Sequence, residues 1–297
     1  MWIVMSILSA FFGGINSILA KCGIKETDSD VATGIRTIIV LLFSFIIVLI
    51  TGSINLIKFV SLNDYIFLIL SGVTTGFSWI FYFKALSIGD VNKVVAIDKL
   101  SVVLSIIFAI VLFNETNNIL IKLFGIISIL IGTIFMIEMK SSMNNFKKQT
   151  GIIYAFLSAI FASLTSILAR FGINDIDSNL GTFIRTIIVL IISWIIIFNG
   201  RKQKEIHKVN RREFLFICLS GVATGCSWLC YYYAIKHGIV SVVIPIDKLS
   251  ILVSILFSFI VFKERLTKKF LLGLSLIIVG TFVMTIFFDT NKKVSNL

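Results

Sequence analysis

The chain has 297 residues, 58% of them hydrophobic and only 14% charged, with a formal net charge of +12. A soluble domain carries about 25% charged residues and at most about half apolar ones, so a water-soluble globular fold is excluded and the solvent of most of the surface is lipid. The positive balance does not signal nucleic acid: Lys and Arg cluster in short connectors, as in Arg201-Lys202-Gln203-Lys204 and Lys263-Glu264-Arg265, rather than on one face of an aqueous domain. Anionic lipid headgroups and topology control account for it.

A membrane span needs roughly 20 mostly apolar residues. Ten segments qualify in chain order: Trp2–Ala20, Thr33–Ile50, Tyr65–Leu86, Val91–Phe113, Ile119–Met139, Gly151–Ala169, Gly181–Phe198, Phe214–Ile235, Val240–Phe262 and Phe270–Phe288. With a single Pro in the chain, helices are expected, because a helix satisfies its own backbone groups in lipid. The expected fold is all-α and integral to the membrane. Met1–Ala20 lacks a basic leader and is expected to be a retained span rather than a signal peptide. Residues 289–297 read as a polar tail. Cys22, Cys218, Cys226 and Cys230 have no metal or redox spacing and read as reduced packing residues.

The two halves repeat at a constant spacing of 149 residues, which carries Arg36 onto Arg185 and Asp98 onto Asp247. Ser17-Ile18-Leu19-Ala20-Lys21 returns as Ser166-Ile167-Leu168-Ala169-Arg170. Ser71-Gly72-Val73 and Gly76-Phe77-Ser78-Trp79 return as Ser220-Gly221-Val222 and Gly225-Cys226-Ser227-Trp228. Near the end one residue is lost, so Gly125 and Gly132 match Gly273 and Gly280. The expected organisation is a first unit over 1–139, a connector over 140–150 and a second unit over 151–288. Five spans per copy is odd, so the second copy enters the membrane upside down. The fold class is therefore ten transmembrane helices as two inverted five-helix repeats, a hallmark of secondary transporters, whose sites lie near the midplane. Loop charge agrees with opposite sidedness. The connector 199–213 carries Arg201, Lys202, Lys204, Lys208, Arg211 and Arg212, whereas its counterpart 51–64 carries only Lys58. Taken alone, that bias puts connectors 140–148, 199–213 and 263–269 in the cytoplasm and both termini outside.

Asp98-Lys99 and Asp247-Lys248 stand inside apolar runs, roughly 10 Å from the start of each span at 1.5 Å per residue. Charges there are functional-site candidates by default. Pro245 removes a backbone donor and favours a helix break beside Asp247; Ala96 at the matching place predicts a softer one. The aspartates either lock helices by pairing with Arg36 and Arg185, or carry protons or a counter-charge for substrate. Arg36 and Arg185 either snorkel to headgroups or turn inward as forks for a carboxylate or phosphate. Lys99 and Lys248 project about 100° from their neighbouring Asp on a helix and can snorkel. Trp79 with Tyr82, and Trp228 with Tyr231, share a helix face below Gly72/Gly76 and Gly221/Gly225, whose spacing admits a close neighbour. Such aromatics serve packing or the interface belt, or stack on a solute. Lys84 is a charge of the first half alone. Ser9, Gly13 and Ser17, with Ser158, Ala162 and Ser166, read as packing seams. Glu115 and Glu264 sit at span ends and read as solvated or lipid-interface residues. His207 and His237 have no evident catalytic partner. No hydrolase, zincin or nucleotide-loop motif is present, so no catalytic residue, metal or cofactor is assigned and the chain is not expected to be an enzyme.

This pattern resembles the drug/metabolite transporter superfamily, and within it the EamA-type permeases. The doubled five-span unit, the small-residue first span, Ser71-Gly72…Gly76…Trp79, Pro245 with the apolar run to Lys263-Glu264-Arg265-Leu266, and Gly273…Gly280-Thr281 carry the resemblance. It implies a multi-pass permease of the plasma membrane. The Ile-Asp-Lys-Leu-Ser blocks resemble a subgroup that also occurs as single five-span units. Two departures matter. Small multidrug-resistance relatives place a Glu in the first span, where this chain offers Asn16 and Thr165, so Asp98 and Asp247 would have to substitute. Ten-span members keep both termini in the cytoplasm, opposite to the loop charges here.

The expected function is transport of small polar metabolites, anionic or zwitterionic and amino-acid-like, by alternating access. Arg36, Arg185, Asp98 and Asp247 would form the polar centre; Trp79, Tyr82, Trp228 and Tyr231 would line it. Protons or a counter-transported solute are the coupling candidates, and a monomer or homodimer in membrane lipid is the expected form. The alternatives are a carrier of amines such as choline or guanidinium, a flippase of a lipid-linked solute, and a non-transporting membrane scaffold or sensor.

Overall fold

The computed structural model of the chain describes residues 1–23, 26–88, 91–136, 146–253, 256 and 268–294. Its elements are helices: α1 Trp2–Gly23, α2 Ser29–Ile50, α3 Leu62–Ile88, α4 Val91–Leu112, α5 Ile119–Met136, α6 Phe146–Gly172, α7 Ser178–Asn199, α8 Arg211–His237, α9 Val240–Lys248 and α10 Lys268–Val294. Short 3-10 turns at Ser53–Phe59 and Gln203–Lys208 occupy equivalent places after α2 and α7. Among the described residues, 6 helices are long and apolar enough to cross a bilayer, and shorter apolar helices lie at Leu100–Leu112, Ile119–Phe135 and Leu271–Ile286. Glu264 and the side chains of Lys84, Asp98 and Lys99 lie outside the described residues.

The polarity is inside-out. Leu120, Leu123, Phe124, Ile127, Ile131 and Ile134 recur at helical spacing on α5 and are all exposed, while Ser128 and Thr133 are buried. In water that stripe would be an aggregation face; in lipid it is the solvated one. Many buried hydroxyls are tolerated because they donate to their own helix, although Ser128 donates across to the Leu276 carbonyl. Ser6 donates to the Trp2 carbonyl, Thr37 to Thr33, Ser44 to Leu41 and Thr75 to Ser71.

The chain folds into two compact units, and each draws on both halves of the sequence. One comprises 1–76, 168–238 and 247–263; the other comprises 77–167, 239–246 and 264–297. In the first, α1 packs on α8, and α2 on both α7 and α8. Gly34, near the start of α2, meets Ile197, near the end of α7. Phe45, near the end of α2, packs on Phe183, near the start of α7, with ring centroids 5.4 Å apart and the rings tilted by 33°. These are the same helix of the two copies, and they run in opposite directions. In the second unit α5 and α10, also repeat equivalents, do likewise: Gly125 meets Met284 and Gly132 meets the Gly273 carbonyl.

Glycine makes these approaches possible, and the contacts are reciprocal. A Cβ on Gly72 would lie 2.7 Å from Ile188 Cβ and 3.3 Å from the Arg185 carbonyl; one on Gly221 would lie 2.7 Å from Ile39 Cβ and 3.1 Å from the Arg36 carbonyl. Each contact is the other with the copies exchanged, which is what a two-fold relation produces.

Aqueous ends are fixed by caps. Asp28 and Asp177, repeat equivalents, accept the first amides of α2 and α7. Lys202, from the second copy, reaches Asp28 at 2.9 Å and Asp30 at 2.5 Å. Burial pushes the Asp28 carboxyl up, but the Lys202 hydrogen bond and charge and the Asp30 and Val31 amides hold it below the usual carboxylate range. Burial pulls Lys202 down, but its bonds to Asp30 and Asp28 hold it above the ordinary ammonium value.

Two predictions follow the packing and the caps. Gly132→Ala sets a methyl 2.6 Å from the Gly273 carbonyl, a backbone atom that cannot swing aside. It should cost about 1–3 kcal/mol, read as a lower Tm in detergent. The lowered Asp28 pKa contributes stability above the unfolded carboxylate value of ~3.9 that is lost as pH falls through the folded value; raised Lys202 contributes below ~10.4 and loses it as pH rises through its folded value. Lys202→Gln should therefore flatten both the acid and the alkaline limbs of the Tm–pH profile.

Candidate functional site

α9 contains Pro245 and ends at Lys248; Leu249 is a turn, and helical residues resume at 250–253. Proline has no N–H to give the Ser241 carbonyl and its ring crowds that carbonyl, which weakens the turn before it; the interruption itself falls beyond it, at Leu249. α4, its equivalent with Ala96 in place of Pro245, is continuous from Val91 to Leu112. Asp247 therefore sits two residues before a break inside an apolar run. Ser9 Oγ, fully buried on α1, donates to Asp247 Oδ1 at 2.5 Å. Ser227 Oγ on α8 lies 3.3 Å from Ser9 Oγ and donates to the Ser9 carbonyl at 3.0 Å. Close approach lets this happen: a Cβ on Gly14 would fall 2.3 Å from Val253 Cβ. The repeat equivalent recurs in the other unit, where Ser158 Oγ donates to the Ser78 carbonyl at 3.0 Å and Ser78 Oγ to the Ser158 carbonyl at 3.2 Å.

Arg185 is 2% exposed on α7. The expected partner of this guanidinium is a carboxylate; among the described residues it has none. Instead Nε donates to Ser71 Oγ at 2.9 Å and Nη2 to Thr75 Oγ1 at 2.5 Å, both on α3. Its Cζ lies 4.9 Å from the ring centres of both Trp228 and Tyr232. Among the described residues, Nη1 has no hydrogen-bond partner. The reason for the difference is local. Gly72 brings α3 against the Arg185 carbonyl, so hydroxyls at 71 and 75, one turn apart on α3, lie within reach of the side chain. Tyr231 is buried and meets Tyr232 edge-on, with centroids 5.2 Å apart. The charges of Arg185 and of Asp247 both act on Tyr232.

The other predicted residues are distributed as follows. Arg36 is half-buried, and its carbonyl abuts Gly221. Ser220, the equivalent of Ser71, donates to Asn16 Oδ1 at 2.6 Å. Gly76 abuts Ile192 and Gly225 abuts Phe43. Lys248 is the last residue of α9. Trp79 and Tyr82 belong to the second unit, where Tyr82 packs on Ala85 and Ala155. The structure thus joins Arg185 to Trp228, and Asp247 to a serine pair, within the first unit.

Glu115 corrects the expectation of a solvated span end. Its side chain is only 12% exposed. It accepts from Val240 N at 2.8 Å and from Ser241 N and Oγ at 3.0 and 2.5 Å, capping α9 from the other half of the sequence. Lys122, almost fully buried, lies 3.6 Å from Glu115 Oε2 and donates to the Glu115 carbonyl. Sequence reasoning missed Tyr232, Ser71, Thr75 and Lys122. For Ser71 and Thr75 a signal exists: they flank the glycine seam and return as Ser220 and Thr224.

The EamA-like transporter family profile matches residues 1–138 and again 149–286. The chain belongs to the EamA-like transporter family. A Sinorhizobium sp. protein named as an uncharacterized transporter in the cobO 3'region is 39% identical over 140 residues, 47% of this chain and 99% of that protein. An uncharacterized protein of Methanocaldococcus jannaschii is 26% identical over 138 residues, 46% of this chain and 98% of that one. Each relative is therefore about one repeat long. A solved crystal structure superimposes with a TM-score of 0.79 at 15% identity, covering 96% of both chains, and so shares the fold. This EamA-like protein is a multi-pass membrane transporter.

Removing the cap tests the Glu115 assignment. In the transporter, Glu115→Ala should cost about 1–3 kcal/mol, because it strands two α9 amides and leaves Lys122 buried without its carboxylate. Adding Lys122→Met should restore part of the loss in the same Tm measurement.

Proposed function

We propose that this EamA-like protein is a ten-span secondary transporter of small anionic or zwitterionic metabolites, working by alternating access in the plasma membrane. The observation that carries the reading is the interrupted helix at Leu249 with Asp247 beside it, bonded to Ser9 of the opposite repeat. Broken helices at a repeat interface are where secondary transporters hold solutes and coupling ions. A short, charge-assisted bond from a buried hydroxyl to a carboxylate is one that protonation of Asp247 would weaken.

Helix directions support ten crossings. α2 and α7, α5 and α10, and α1 and α8 pair antiparallel, as odd with even crossings must. α2 and α8 run together, since Gly221 meets Ile39 and Gly225 meets Phe43. α1 runs with the α9 segment, since Ser9 meets Asp247 and Gly14 meets Val253. The solute's charge is argued from the same unit: two buried or half-buried guanidiniums, Arg36 and Arg185, stand against Asp247. The aromatic faces of Trp228 and Tyr232, which would cage a free amine, already carry Arg185.

Counterflow in proteoliposomes preloaded with an amino-acid mixture tests this. Wild type should exchange label, and Asp247→Asn should slow exchange by on the order of tenfold or more, the scale expected for losing a proton-transfer group. Wild-type exchange by Asp247→Asn removes this residue from the mechanism, and absence of exchange with amino acids, organic acids and amines alike ends the transporter assignment at this site.

A further inference from the structure

Arg185 poses an electrostatic problem that its surroundings do not solve. A guanidinium has five N–H donors and no acceptor. Ser71 takes Nε and Thr75 takes one hydrogen of Nη2. That leaves the second hydrogen of Nη2 and both on Nη1, and among the described residues Nη1 has no partner. The side chain is 2% exposed, so water does not solvate it in bulk. The rings of Trp228 and Tyr232, 4.9 Å from Cζ, supply cation–π attraction, which is smaller than the cost of burying an ion unpaired. Hydroxyls and rings orient the group; neither neutralises it.

We infer that Arg185 is the oxyanion-binding residue of the transport site and that it receives the carboxylate of the solute on its Nη1–Nη2 edge. This rests on the transporter reading above and names the chemical group that the solute must carry. The occupied atoms dictate the edge. Ser71 and Thr75 fill the Nε–Nη2 side, and Cζ lies over the rings of Trp228 and Tyr232. What remains is a pair of parallel N–H groups, the fork that a carboxylate meets bidentately. The surroundings of the equivalent Arg36 differ: Ser220 donates to Asn16, and the sequence has Phe83 where the second repeat has Tyr232.

The test is binding, so that it stands apart from turnover. Purified full-length protein in detergent is titrated with glycine, L-glutamate, acetate and succinate, and in parallel with choline, guanidinium and inorganic phosphate, following thermal stabilisation. At least one carboxylate should raise Tm saturably. Arg185→Lys, which keeps the charge and loses the fork, should weaken its half-saturating concentration by on the order of tenfold. Ser71→Ala with Thr75→Ala, which leaves the guanidinium and frees its orientation, should weaken it by a smaller factor. Equal carboxylate affinity in Arg185→Lys overturns the assignment, as does stabilisation only by choline or guanidinium, or by phosphate without any carboxylate. Should Arg185→Lys fail to fold, the serine–threonine variant decides: wild-type affinity there counts against the oriented fork. Carboxylate binding without counterflow sinks the transport cycle and spares the fork; counterflow of amines alone does the reverse.

Discussion

The close approach of α3 to α7 at Gly72 is the contact from which the candidate site derives. Without a Cβ at 72, the Arg185 backbone comes near enough for its side chain to reach Ser71 and Thr75. In lipid there is no hydrophobic force to draw helices together, so small residues and polar contacts must do it. Here the two act on neighbouring positions of one helix: glycine sets the spacing and hydroxyls receive the cation. A bulkier residue at 72 would remove both the packing and the orientation of the guanidinium.

The same seam recurs at Gly221 against the Arg36 carbonyl, which shows how a duplicated sequence gives a related but unequal site. The backbones repeat; the side-chain partners do not. Ser71 serves Arg185, while its equivalent Ser220 serves Asn16. α9, which carries Pro245, ends at Lys248, while α4, with Ala96 in its place, is continuous to Leu112. A homomeric pair of single repeats is bound to equivalence at its two-fold axis. A fused duplication is free to lose it.

Much of the fold was legible because its signals are local or periodic. Span lengths, the 149-residue repeat, the glycine seams and the break favoured by Pro245 all follow from spacing within a few turns. The site was legible in its residues and less so in its pairings. Opposite charges invite pairing when only a sequence is read, yet Arg185 and Asp247 are each satisfied in part by serine or threonine, residues too common in helices to stand out. Glu115 was misjudged for a related reason: the amides it caps lie 125 and 126 residues away, and no window along the chain joins them. Tyr232 escaped because its equivalent is Phe83, so the comparison of halves that singled out Trp228 and Tyr231 passed it over.

Buried polarity in this protein falls into two kinds, and the difference separates structure from function. Glu115 with Lys122, and Ser78 with Ser158, close on themselves; each acceptor has a donor, and the gain is fixed helix geometry. Among the described residues, Arg185 is left open at Nη1. A closed pair would bind nothing. An incompletely satisfied cation held in a fixed plane is costly to the resting protein, and that cost is recovered only when a solute brings the missing charge, which is how a buried group comes to discriminate among ligands instead of merely holding two helices together.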